Sequence, residues 1–138
     1  MYYFLDTNIF LRFFVKEDET SFHNCFRVIE KIQNNKLKAI TTNLIIAELV
    51  WVLKSYYRLD KKEIIMFISA INSLNGLKLQ DKFELPLSIS YFKNHTVKFI
   101  NSLIASIPQI QNKKWSIISY DKDFDNLGVK RFEPGQEK

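Results

Sequence analysis

The sequence predicts an α/β fold in which a parallel sheet is covered by helices on both faces. Three observations point there. Short apolar runs of strand length alternate with longer stretches whose apolar residues recur every three or four positions. Two of the runs, residues 2–5 and 115–120, stop directly on an aspartate. With 138 residues and 46% hydrophobic content, the chain matches one ordinary domain, residues 1–138, with enough apolar surface for a core.

The first run, Tyr-Tyr-Phe-Leu, reads as a strand buried on both faces. Asp6, Thr7 and Asn8 follow it, and all three are good caps for a helix opening near Ile9. Residues 9–15 make that helix or helical turn, and 16–19 form a charged loop. Thr20 or Ser21 then caps a second helix carrying Phe22, Phe26, Ile29 and Ile32, which Asn34-Asn35 ends. Residues 38–42 form a second strand. Thr42 or Asn43 caps the apolar helix 44–57, in which Glu48 is the one acid. Asp60 caps a helix over 61–74 with Glu63 in its first turn, where the dipole favours an acid. Asn75-Gly76 closes it, and 77–80 read as a third strand. Residues 83–95 and 96–107 predict two helices, the first with Pro86 near its start and the second stopped by Pro108. The fourth strand, 115–120, leads to Asp121, Lys122-Asp123-Phe124-Asp125, a turn at Gly128 and a fifth strand over 129–132. Among the aromatics, Phe22, Phe26, Trp51, Phe67 and Phe99 read as core, whereas Phe13 and Phe14 suit a groove for a partner helix.

Twenty Lys and Arg against fifteen Asp and Glu give a net charge of +5 and a pI near 9.3, which favours nucleic acid as partner. Single clusters, such as Lys31, Lys36 and Lys38 or Lys54, Arg58, Lys61 and Lys62, read as solvated surface. No run approaches the roughly 18 apolar residues of a membrane helix, and the pattern of a secretory leader is missing. Cys25 stands alone, so no intramolecular disulfide forms and a reducing cytoplasm is expected; its place in an amphipathic helix suits a small core residue better than a nucleophile. Three Gly, three Pro and no low-complexity tract argue against linkers.

The chemistry lies in the acids. If both aspartate-terminated strands are central and parallel, Asp6 and Asp121 share one edge of the sheet, the edge where open α/β folds bind ligands. Glu48, one turn into a helix that follows a strand, points toward the same edge. Three converging carboxylates repel one another, and a divalent cation resolves the conflict. Oxygen ligands without His or Cys suit Mg²⁺ or Mn²⁺, which activate a water for attack on a phosphodiester. A basic protein with such a site reads as a nuclease. A covalent aspartyl phosphate on Asp6 is the rival, but that chemistry wants a second carboxylate two positions on, and Asn8 stands there.

Phe4-Leu5-Asp6-Thr7-Asn8, Ala47-Glu48-Leu49 and Ser119-Tyr120-Asp121-Lys122-Asp123-Phe124-Asp125 resemble the motifs of the PIN domain, over nearly the whole chain, and the length and order resemble VapC-type toxins. The resemblance implies a three-layer α/β/α sandwich with a central parallel sheet of four to five strands. It also implies Mg²⁺- or Mn²⁺-dependent endonucleolytic cleavage of RNA. By that similarity Asp6 and Asp121 take the metal, Glu48 joins or orients the ligand shell, and Thr7 and Asn8 position them. Asp123 is a secondary ligand and Asp125 a weaker one. An antitoxin segment would fill an apolar groove and send an Arg or Lys into the site, although a homodimer is equally compatible with the apolar surface. The sequence departs from the pattern at Asn101, where the family places a further acid. An amide can coordinate a divalent ion through its carbonyl oxygen, which keeps Asn101 among the metal ligands, but it adds no charge and cannot act as a base, so the alternative is a degenerate module that binds RNA or a protein without cleaving.

Overall fold

The computed structural model describes residues 1–137, so the end of the expected domain, Lys138, lies outside the described residues. Five strands, β1 (Tyr2–Leu5), β2 (Lys38–Thr41), β3 (Leu77–Leu79), β4 (Trp115–Ile118) and β5 (Arg131–Phe132), form one sheet in the order β3-β2-β1-β4-β5. Every pairing is parallel. The inner strands are mostly apolar because both faces are covered: Phe4, Leu5, Ile117 and Ile118 are fully buried. The result is the expected α/β/α sandwich.

The helices are α1 (Thr7–Phe14), α2 (Glu19–Gln33), α3 (Asn43–Ser55), α4 (Lys61–Asn72), α5 (Leu85–Asn94), α6 (Phe99–Ala105), α7 (Pro108–Gln111) and α8 (Asp123–Asn126). Helix α1 packs on α2 and α3, and α3 on α4; α5 packs on α6, which meets α7 and α8. The chain leaves β1 through α1 toward β2 on one side, whereas β4 lies on the other. The crevice above β1 and β4 is therefore the switch point of the sheet.

Several boundaries differ from the sequence reading. Asp18, not Thr20 or Ser21, caps α2, accepting the Ser21 N–H at 2.9 Å. The helix expected over 96–107 keeps only Phe99–Ala105. At its start the Lys98 N–H donates to Asp123 Oδ2 at 3.0 Å and holds residue 98 extended. At its end Pro108 forces Ile107 out of the helical region, then opens α7 in its own first turn. Residues 123–126, expected as motif and turn, form α8. Three aromatics expected in the core lie at the surface: Trp51 is 68% exposed, Phe26 44% and Phe99 39%. Each sits on a helix whose apolar residues wrap further around than its buried stripe. Phe22 and Phe67 are half-buried. Gly76 allows one close approach: a Cβ there would meet Ile32 O at 2.5 Å and Leu37 O at 2.9 Å.

Candidate active site

Asp6 is both cap and site residue. The β1 register, Leu5 beside Ile118, continues through the Asp6 N–H to Ile118 O at 3.2 Å, so the strand ends with Asp6 opposite Ser119. The Asp6 backbone is extended and its Oδ1 accepts the Thr7 N–H at 2.8 Å, which starts α1. Its Oδ2 accepts from Ser119 Oγ at 2.6 Å and from Asn8 Nδ2 at 3.3 Å. Only 4% of Asp6 is exposed. That burial pushes its carboxyl up to about 6; the Ser119 and Thr7 hydrogen bonds oppose the shift, and the charges of Glu48 and Asp121 add to it.

Ser119 joins the two strand ends. While donating to Asp6, its hydroxyl accepts the Asp121 N–H at 2.9 Å and Asn8 Nδ2 at 3.2 Å. Asn8 in turn accepts the Tyr120 N–H at 3.3 Å. Asp121 Oδ1 accepts the Asp123 N–H at 3.0 Å, so the turn before α8 sets this carboxylate. Asn101, 2% exposed on α6, donates both amide hydrogens, to Asp121 Oδ2 at 2.9 Å and Asp123 Oδ2 at 3.0 Å. The opposite amide orientation would aim a carbonyl at two carboxylates, so the network fixes it. Lys98 Nζ lies 3.7 Å from Asp121 Oδ2. From α3, Glu48 receives the Thr7 hydroxyl hydrogen bond.

The structure thus gathers Asp6, Thr7, Asn8, Glu48, Asn101 and Asp121 around one pocket of about 180 Å³, with Asp123 hydrogen-bonded behind Asn101. Asp125 is elsewhere: Arg131 pairs with it at 3.0 Å and draws its carboxyl below the usual range. Two residues escaped the sequence reading. Ser119 was visible only as the first residue of the last motif. Lys98 carried no local signal, because its place depends on the contact between residues 98 and 123.

The PIN-domain family model matches residues 3–130. The chain belongs to the PIN-domain family. Two solved structures share this PIN-domain fold at low identity. The Mycobacterium tuberculosis toxin VapC20, described as cleaving the sarcin-ricin loop, superposes with a TM-score of 0.68 at 14% identity over 96% of this chain and 99% of that one. VapBC2 from Rickettsia felis, bound to a DNA fragment from their promoter, gives 0.65 at 19% identity over 96% and 98%. No curated protein sequence matches this PIN domain.

The PIN-domain pocket offers hard oxygens of the kind Mg²⁺ or Mn²⁺ takes, the carboxylates of Asp6, Glu48 and Asp121 and the hydroxyl of Thr7, beside the Asn101 amide and the Lys98 ammonium. Its arrangement is a compromise. Among the described residues, no group of three His, Cys, Asp or Glu side chains is disposed to hold a metal ion. Asn101 bridges Asp121 and Asp123 through its N–H donors. Asp6 and Glu48 have hydroxyl and amide donors and, among the described residues, no cationic side chain at salt-bridge distance.

Proposed function

We propose that this PIN domain is a divalent-metal-dependent endoribonuclease, the toxin of a cytoplasmic toxin–antitoxin pair. The observation that carries the reading is the convergence of Asp6, Glu48 and Asp121 on one pocket at the switch point between β1 and β4. Buried carboxylates brought together call for a cation, and the basic chain calls for an anionic partner. Asp6, Glu48 and Asp121 would hold Mg²⁺ or Mn²⁺. The ion would activate a water and neutralise charge developing on the phosphodiester.

The chain's own residues do the positioning. Thr7 holds Glu48, Ser119 holds Asp6, and Asn101 with the Asp123 N–H holds Asp121. Lys98, 73% exposed, places an ammonium at the rim where a phosphate would arrive. Support for an antitoxin comes from the aromatic surface beside α1, where Phe14 stacks on Phe67 at 4.3 Å and Phe13 meets Phe26 at 6.0 Å over an apolar cavity of about 120 Å³. The two neighbours named above, a toxin and a VapBC complex, fit the same reading.

A second reading, a module that binds RNA without cutting it, is favoured by one observation: Asn101 and Lys98 already partner Asp121 and Asp123 from within the chain. Incubating the protein with structured RNA and Mg²⁺ or Mn²⁺, with and without EDTA, separates the two. Endonucleolytic products that EDTA abolishes support the nuclease; RNA retained uncut with both ions overturns it in favour of the module.

A further inference from the structure

The opposite end of the sheet carries a second charged feature that the candidate active site does not use. Because all strands are parallel, their amino-terminal ends share one edge, and lysines mark nearly every one. Lys36 and Lys38 lie at β2, Lys78 in β3, Lys113 and Lys114 directly before β4, and Lys130 directly before β5. Neighbouring strands are about 4.8 Å apart, so five strands spread this charge over roughly 19 Å. All six lysines are exposed. Among the described residues, none of the six forms an ion pair. The carboxylates of the candidate site sit at the far ends of the strands, so the molecule is electrically polarised along them.

Two details show what this edge accepts. Its cavity of about 420 Å³, lined by Lys31, Lys36 and Lys38, already holds an anion, the Glu137 carboxylate, 3.3 Å from Lys31 Nζ with its side chain only 1% exposed. The aromatic rings here are covered by cations and closed to bases: Lys38 and Lys78 lie 5.9 and 5.6 Å from the Tyr2 centroid, and Lys130 lies 5.3 Å from that of Phe132. Arg131, in β5, is committed to Asp125 and Glu133, and Arg27 lines a second cavity here beside Lys31 and Lys36. A surface made mostly of lysines takes phosphates as point charges, and backbone contacts of that kind read no sequence.

We infer that the amino-terminal edge of the sheet is a second RNA-binding surface, where these lysines take the phosphate backbone of a folded RNA whose reacting strand lies at the carboxylate end. This rests on the ribonuclease reading for the choice of RNA. The strands are four residues deep at most, about 13 Å, so an RNA that folds around the side of the sheet reaches both ends. A short single strand bound at the site does not.

The test is equilibrium binding of a long structured RNA in EDTA, measured against salt, for the wild type, for a triple variant Lys38→Gln, Lys114→Gln and Lys130→Gln, and for a control triple Lys54→Gln, Lys61→Gln and Lys62→Gln on the α3 and α4 surface. Circular dichroism checks that all three fold. Each lost phosphate contact removes about 0.7 to 0.9 from the slope of log affinity against log salt. The edge variant is expected to lose about 2 from that slope and at least tenfold in affinity, with the control close to wild type. Equal losses in both variants, or none in the edge variant, would overturn the inference, as would edge-dependent capture of anionic phospholipid vesicles with RNA binding unchanged. Because the assay needs no metal, it stands apart from the nuclease reading. An edge-dependent slope in a protein that cuts nothing keeps the edge and removes the nuclease, and an active nuclease with an unaltered slope does the reverse.

Discussion

Replacing Asp6 by asparagine should make the folded protein more stable at neutral pH and less stable in acid. The Asp6 carboxyl is buried and its folded value lies near 6, against 3.8 for an unperturbed aspartate. A raised value means that the folded state holds the proton more tightly than the unfolded chain. The associated stability is present below pH 3.8 and is lost as pH rises through about 6. At 1.36 kcal/mol per unit, the wild type at pH 7.5 is about 3 kcal/mol less stable than if the group stayed protonated; at pH 4 the deficit is only about 0.5 kcal/mol. The Asp6→Asn substitution would remove that deficit but bring a mismatch. The new amide nitrogen would face Asn8 Nδ2 and a Ser119 hydroxyl that already accepts from Asn8 and Asp121, at a cost of about 1 to 2 kcal/mol. The net expectation is a gain of about 1 to 2 kcal/mol at pH 7.5 and a loss of about 1 kcal/mol at pH 4. Urea unfolding of both proteins in EDTA at the two pH values measures it. A variant destabilised equally at both would refute the claim that burial without a cation strains this carboxylate.

Four further substitutions test the site and the packing around it. Asn101→Asp exchanges two donated hydrogen bonds for a buried charge, so without metal it should lose about 2 to 4 kcal/mol. Mn²⁺ should restore that stability and bind more tightly than to the wild type by calorimetry; an unchanged Mn²⁺ affinity would count against Asn101 at the metal site. Thr7→Val leaves Glu48 without its hydroxyl partner and should lower cleavage about ten- to a hundredfold, with unfolding curves reporting little change. Gly76→Ala forces a methyl group against two backbone carbonyls and should cost about 1 to 3 kcal/mol by urea unfolding, whereas Trp51→Ser, at an exposed position, should stay within about 0.5 kcal/mol.

Much of this architecture was legible because local and global signals agree. The run that ends on Asp6 is a strand, and the run before Asp121 is one over Trp115–Ile118, shorter than expected because Ser119 and Tyr120 turn toward Asp121; burial on both faces leaves no place for a charge until the sheet ends. Asp6 also answers the choice between cap and ligand: it caps α1 and faces Ser119 at once. What the sequence hid depends on contacts between distant residues. Helix α6 starts late because the Lys98 N–H is drawn to Asp123, a restraint that helical periodicity cannot contain. The same contact carries Lys98 to Asp121. Ser119 carries no signal of its own, because a serine at a strand end is common and its role depends on β1 and β4 being neighbours. The exposure of Trp51, Phe26 and Phe99 marks the limit of reading burial from residue type, since a helix buries one stripe and not every apolar side chain it carries.

The most direct measurement is cleavage of one structured RNA in Mn²⁺ by the wild type and by Asp6→Asn, with RNA binding measured in parallel. The wild type is expected to cut and Asp6→Asn is not, with RNA binding retained by both. Equal cutting by the two proteins would contradict the claim that the Asp6 carboxylate holds the ion on which hydrolysis depends.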